Sequence, residues 1–273
     1  MKKLTSLSLS LLSLPVFSRT WGKITRLRRP RFLIRQFIRW YHRKYNIDMS
    51  EYEGELCDYR CLVDFFTRRL DKVCRPLRPD ENVVVSPADG FLSGMETIFE
   101  DRATQVKGKY YNITELLKEN IDFSGGWHVA TIYLSPSNYH RFHYPLSGKI
   151  KRFFHTGGRL FPVNLLGLNH IDELFIRNER IITEIEKNGL PCYFAAVGAT
   201  FVGSIRMEFI PEQKKNSRNR WETINLDVHQ LEEMGRFEMG STIVMVLPRQ
   251  IAEPIDDIKG KPVRVGQAIF KML

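Results

Sequence analysis

The chain has 273 residues and is 43% hydrophobic, 26% charged and 12% aromatic, a globular composition that excludes a collagen, a disordered tail and a pure coiled coil. Its formal charge of +10 is local: residues 1–47 hold twelve Lys and Arg and no acid precedes Asp48, whereas the remainder carries 29 basic against 31 acidic residues. A nucleic-acid groove running across a whole domain is therefore disfavoured, and an anionic partner for the N-terminal arm is favoured.

In chain order, Leu4 to Ser18 is charge-free but too short to span a bilayer and is interrupted by Pro15. Following Lys2 and Lys3 it has the form of a signal or transit peptide. From Arg31 to Tyr45 the apolar residues Ile34, Phe37, Ile38, Tyr41 and Tyr45 take helical spacing while Arg31, Arg35, Arg39 and Arg43 form a stripe. This predicts a basic amphipathic helix, suited to a lipid interface or to packing on its own domain. A second helix is expected over Leu62 to Cys74, closed by Pro76, Pro79 and Asp80. Strands are expected at Val83 to Val85, Val129 to Leu134, Tyr193 to Val197, Thr200 to Ile205 and Thr242 to Leu247. Short helices are expected at Tyr111 to Leu117 and Ile171 to Ile185, with a polar surface loop at Gln213 to Arg220. The fold class is α+β: an N-terminal helical segment over residues 1–80, then a β-rich body with short helices over 81–273. Cys57, Cys61, Cys74 and Cys192 form no CxxC pair and fit no common zinc spacing, so no metal is expected.

Three segments put reactive side chains among permissive neighbours. Asp89 lies in Ser86-Pro87-Ala88-Asp89-Gly90 and alone reads as a turn. His140 and His143 lie in Tyr139-His140-Arg141-Phe142-His143-Tyr144-Pro145; in an extended stretch the two rings point differently and serve different steps. In Glu238-Met239-Gly240-Ser241-Thr242 the glycine lets a hydroxyl approach the preceding carbonyl. This is not a nucleophile elbow, because Met239 and Ile243 stand where that motif has glycines.

Together, and in this order, Ala88-Asp89-Gly90, Tyr139 to Pro145 and Met239-Gly240-Ser241-Thr242 resemble the ADG, YHRxHxP and LGST motifs of the phosphatidylserine decarboxylases of bacteria and mitochondria. Phe65-Phe66-Thr67-Arg68, Leu134-Ser135-Pro136, Arg177-Asn178-Glu179-Arg180 and Val197-Gly198-Ala199-Thr200 extend the likeness over roughly residues 35 to 250. Met239 departs from the usual Leu, an exchange of similar volume.

The resemblance implies a proenzyme that cuts itself between Gly240 and Ser241 into a β chain (1–240) and an α chain (241–273) that stay associated. Ser241 is the nucleophile and ends as a pyruvoyl group, the only cofactor. His143 is the processing base, oriented by Asp89, and His140 supplies the decarboxylation proton. The pyruvoyl carbonyl condenses with the amine of phosphatidylserine and draws off the electrons released with carbon dioxide, leaving phosphatidylethanolamine. A bilayer-bound anionic substrate suits the cationic arm, so residues 1–80 are expected to dock on an anionic membrane. The expected location is the cytoplasmic face of a bacterial inner membrane, with an organelle inner membrane as the alternative. No nucleic-acid partner is implied, a homodimer is left open, and the Phe153 to Pro162 loop with His155, Gly157 and Gly158 is a candidate wall of the site.

Overall fold

The computed structural model describes residues 22–200, 205–210, 219–238 and 240–273. Helix α1 (Arg31–Lys44) forms where the periodicity places it, and its last turn carries His42, Arg43 and Lys44 against the carbonyl end of the helix dipole. Its inner face buries Ile38 and Tyr41 on α2 (Leu62–Phe66), with Leu62, Phe65 and Phe66. The helix expected to reach Cys74 stops at Phe66. Leu70 is the reason: it buries in a different cluster, with Val85, Tyr139, Leu231 and Val265, so the chain turns at Thr67.

The β-rich body opens with β1 (Val83–Val85), β2 (Gly90–Ile98), β3 (Ala103–Val106), β4 (Lys109–Tyr111), α3 (Ile113–Leu117), β5 (Trp127–Leu134) and β6 (Arg141–His143). It continues through β7 (Gly148–Thr156), α4 (Leu165–His170), α5 (Leu174–Arg177), β8 (Arg180–Lys187), β9 (Leu190–Gly198) and β10 (Ile205–Met207). The last elements are β11 (Trp221–Val228), β12 (Glu233–Phe237), β13 (Ser241–Pro248), β14 (Ala252–Pro254), β15 (Pro262–Val263) and β16 (Ala268–Met272).

Eight antiparallel strands form the central sheet in the order β11-β7-β8-β9-β13-β5-β2-β15. Two three-stranded sheets, β1-β16-β14 and β10-β12-β6, share a core with one face of it: Phe142, Phe237, Val84 and Phe270 meet Leu134, Ile243, Met245 and Phe194. Helices α3, α4 and α5 and the β3-β4 hairpin cover the other, where Ile113, Leu168 and Phe175 meet Val129, Val197, Val244 and Val246. Strand β13 is thus buried on both faces, odd-numbered side chains toward the small sheets and even-numbered ones toward the helices, which explains its unbroken apolar run.

The same two-sided burial misleads the reading of Ile171 to Ile185 as a helix. Only Leu174–Arg177 is helical. Asn178 then bonds the Phe161 and Gly198 carbonyls, and in β8 Ile181 and Ile182 enter opposite cores. Tyr111 belongs to β4, and the helix after it starts at Ile113. Four expectations fall wholly or mostly outside the described residues: Leu4 to Ser18, Met239, the inner part of Thr200 to Ile205, and all but the end of the Gln213 to Arg220 loop. Among the described residues no helix is long and apolar enough to cross a membrane.

Gly90 lets β2 approach β5. A Cβ there would lie 2.6 Å from the Tyr133 carbonyl oxygen and 2.7 Å from Ile132 Cγ2. Gly90→Ala is therefore expected to destabilise the fold by about 1–3 kcal/mol, read as a lowered denaturant midpoint at unchanged slope.

Candidate active site

Ser241 opens β13, where it pairs with Leu134 of β5 and Gly198 of β9. By strand alternation its side chain shares the face of Ile243, toward the small sheets. It is fully buried, and its Oγ has no hydrogen-bond partner among the described residues. At the preceding Gly240 a Cβ would meet no atom of the described residues within 4 Å, and Gly240 lines a cavity. Two residues further back, buried Glu238 is held by Arg26 from the N-terminal arm and by Arg206 at 3.4 Å. That anchor spans more than two hundred residues of chain and has no local sequence signal.

From Leu134, the register partner of Ser241, the chain enters a turn locked by Asn138, whose side chain accepts from Ser135 N at 2.8 Å. The turn delivers His140. Its ring is wholly buried and lies against Phe66 of α2 with centroids 3.8 Å apart. Nδ1 sits 2.8 Å from the Asn138 carbonyl, which can only accept, so Nδ1 carries the proton and Nε2 holds a lone pair. Like Ser241 Oγ, Nε2 is buried with no partner. Burial lowers the imidazole to about 3, with the Asn138 bond opposing and the charge of Arg68 assisting. Each orphaned atom costs about 1–3 kcal/mol, a penalty more readily kept where a reacting group is to be received than in an inert core.

His143 lies in other surroundings. On β6 it alternates with Phe142, whose ring enters the main core, and it lines a cavity with Arg75, Tyr139 and Leu231. Its Nδ1 donates to the Leu231 carbonyl at 2.7 Å, and its Nε2 accepts from the Tyr139 hydroxyl at 2.9 Å. Leu231 is itself held in the left-handed region (φ 69°), a strained backbone for a leucine that aims its carbonyl at the ring. Burial holds the His143 pKa below its usual value. Asp89 is bound by both Arg75 guanidinium nitrogens, at 2.7 and 2.6 Å, and by Val265 N at 2.8 Å. The expected hydrogen-bonded row Asp89–His143–Ser241 is therefore not assembled in this conformation, because each member is committed elsewhere or unpaired. Tyr139 was in the sequence motif though with no role assigned, whereas Arg75, which binds Asp89, carried no signal of its own in sequence.

A cavity of about 580 Å³ is lined by Gly240 together with Phe37, Trp40 and Tyr41 of α1, Phe66 of α2 and Leu166 of α4. Helix α1 has two apolar faces rather than the one its spacing suggests. Ile38 and Tyr41 pack inward, while Phe37 and Trp40 remain 39% and 49% exposed on the cavity rim. Leu165 and Leu166, 71% and 47% exposed, also stand at the surface. The Phe153 to Pro162 loop contributes Pro162 to the wall, whereas His155 is turned to Glu179 at 2.9 Å.

A profile of the family described as phosphatidylserine decarboxylase matches residues 62–271. Curated relatives named phosphatidylserine decarboxylase proenzyme include those of Brevibacillus brevis, 38% identical over 92% of this chain and 92% of the relative, and Hahella chejuensis, 35% identical over 94% and 89%. That of Pseudomonas fluorescens is 37% identical over 98% and 97%.

The buried neutral state of His140 couples stability to pH. Unfolded, the ring binds a proton near 6.5; folded, it resists until about 3. Stability is thus fully present above pH 6.5 and is lost as pH falls toward 3, by up to about 1.4 kcal/mol per pH unit from this group. Urea midpoints measured across that range should fall less steeply for His140→Leu than for the native chain.

Proposed function

This chain belongs to the phosphatidylserine decarboxylase family, and from that premise we propose that it decarboxylates phosphatidylserine to phosphatidylethanolamine after cutting itself between Gly240 and Ser241. The observation that carries the reading is a pair of buried atoms with no partner among the described residues, Ser241 Oγ at the start of β13 and His140 Nε2 beyond the turn that follows its register partner Leu134. Ser241 Oγ attacks the Gly240 carbonyl and converts amide to ester. β-Elimination then releases the Gly240 carboxylate, and the dehydroalanine left at 241 takes up water and loses ammonia to become a pyruvoyl group. The residues present fit that group: Ser241 Oγ has no partner among the described residues, and the neighbouring Gly240 lines a cavity of about 580 Å³. The pyruvoyl carbonyl supplies an electron sink for loss of carbon dioxide.

The chain's own residues manage the protons. His140, through Nε2, is the group that hands a proton to the carbon that has lost carbon dioxide. For processing, the family pattern assigns the base to His143 with Asp89. Tyr139 and Leu231 must then release the imidazole and Arg75 the carboxylate, so the processing conformation differs from this one. The two chains stay associated because β13, first strand of the α chain, is paired on both sides with strands of the β chain.

Docking on an anionic bilayer assigns each face of α1 a role. Leu33, Phe37 and Trp40 enter the acyl region, while Arg31, Arg35, Arg39 and Arg43 meet headgroups, at about 1 kcal/mol per basic residue near the surface. The cavity rim then faces the lipid, so the headgroup reaches Ser241 without the acyl chains leaving the bilayer. The proposed location is the cytoplasmic face of a bacterial inner membrane, with residues 1–80 as the docking segment and 81–273 as the catalytic body.

On a denaturing gel with mass spectrometry, the native chain should yield fragments of 240 and 33 residues, the shorter with a blocked N-terminus, and Ser241→Ala should stay whole; an intact native chain with unmodified Ser241 overturns the reading. Carbon dioxide release from phosphatidylserine and not from free serine fixes the substrate class. His140→Ala should still cut itself but decarboxylate about 10²–10⁴-fold more slowly, and His143→Ala should remain uncut; the reverse pattern moves the processing base to His140. In liposome flotation, Phe37→Ser with Trp40→Ser should weaken binding at every salt concentration, whereas binding indifferent to anionic lipid and to salt overturns the docking surface.

A further inference from the structure

Arg68 lies in the short turn after α2 and is 1% exposed. It makes no ion pair with a carboxylate among the described residues. Instead its guanidinium donates to the Ser137 carbonyl at 2.7 Å, the Asn138 carbonyl at 3.1 Å and the Tyr52 hydroxyl at 3.3 Å, and lies 4.2 Å from the centre of the Tyr52 ring. Its Nε is buried without a partner. An arginine buried with only neutral acceptors is costly, since nothing of opposite charge offsets its lost hydration. What it holds is informative. The Asn138 carbonyl that accepts from Arg68 is the same oxygen that accepts from His140 Nδ1 at 2.8 Å. From the same short segment Phe66 covers the ring, and Tyr41 of α1 donates to the Pro136 carbonyl at 3.2 Å.

We propose that Arg68 is a positioning residue for His140: by fixing and polarising the Asn138 carbonyl it locks the proton on Nδ1, leaves the Nε2 lone pair free, and keeps the imidazole neutral. The mechanism is local and directional. A carbonyl pinned by a guanidinium cannot rotate away, and it accepts from only one edge of the imidazole, so the ring is held in one tautomer and one orientation. The groups on the ring are Phe66 from α2 and the Asn138 carbonyl of its own loop, while the His140 backbone carbonyl is held by the Phe237 N–H of β12. Arg68 is the charged group that acts on the ring, and its sign opposes a second positive charge there. Replacing it with a neutral side chain therefore raises the pH at which His140 protonates.

This proposal rests on the reading of His140 as the proton carrier, and the two are separable by experiment. The first arm needs no turnover. In the full-length Ser241→Ala chain, labelled with ¹⁵N-histidine, His140 should give the signals of an Nδ1–H tautomer that does not titrate between pH 5 and 8. Arg68→Met should populate the Nε2–H tautomer or bring a titration into that range, and Arg68→Lys, which keeps the charge and one donor, should restore most of the native spectrum. The second arm uses self-cut enzyme with vesicle-borne phosphatidylserine. Arg68→Met should lower kcat by about 10- to 100-fold with KM within about twofold, and shift the acid limb of the kcat profile to higher pH. A Met variant whose His140 tautomer and titration match the native chain overturns the proposal, whatever its activity or stability. If His140→Ala decarboxylates normally, the proton-carrier reading fails instead, and the ¹⁵N arm still decides what Arg68 does to the ring.

Discussion

The structure turns on a strand that cannot move. β13 lies inside the eight-stranded sheet, paired on both sides and buried on both faces, so shifting its register by one residue would exchange its contents between two cores. Ser241 is its first residue. The same packing that makes Ile243 and Val244 immobile fixes where Oγ and, after processing, any group made from Ser241 must sit. A cut at the edge of such a strand costs little cohesion, because the ladder to β5 and β9 lies wholly on the α-chain side of the bond.

Around that fixed point the electrostatics are arranged by desolvation more than by paired charge. His140 is kept neutral by burial, with one nitrogen committed to a carbonyl and the other idle. His143, three residues on, is kept neutral with both nitrogens committed. Asp89 is neutralised by Arg75 rather than by an imidazole. Two histidines of one motif thus meet different partners and differ in the property that decides their chemistry, the availability of a lone pair. The N-terminal helices share in this arrangement: Phe66 and Arg68 bear on His140 and its loop, while Phe37 and Trp40 stand on the rim of the cavity that reaches Gly240. The exposed apolar stripe of α1 and the surroundings of His140 thus belong to one small helical unit.

What was legible in the chain follows from which signals are local. Helix α1 was readable because its periodicity is intact, and β1, β5, β9 and β13 because β-branched runs end at turn residues. The helix expected past Phe66 failed because Leu70 answers to another core, and that expected at Ile171 to Ile185 failed because a strand buried on both faces has no alternation to read. Ser241, Gly240 and His140 were legible through a motif order, and Arg68 through a matching block that gave it no role, whereas Arg75 and Arg26 act on residues 14 and 212 positions away and leave no spacing to find.

By itself the sequence determined the family, through the order of the segments holding Asp89, His140 with His143, and Gly240-Ser241, and it set a cationic arm on a nearly neutral body. Those depend on residue identity and order. Which imidazole keeps a free lone pair, what Asp89 is bound to and which half of α1 stays exposed were decided by tertiary structure alone. A lone pair, a buried ion pair and an uncovered apolar stripe are each defined by what lies opposite, and what lies opposite is fixed only when the chain has closed on itself.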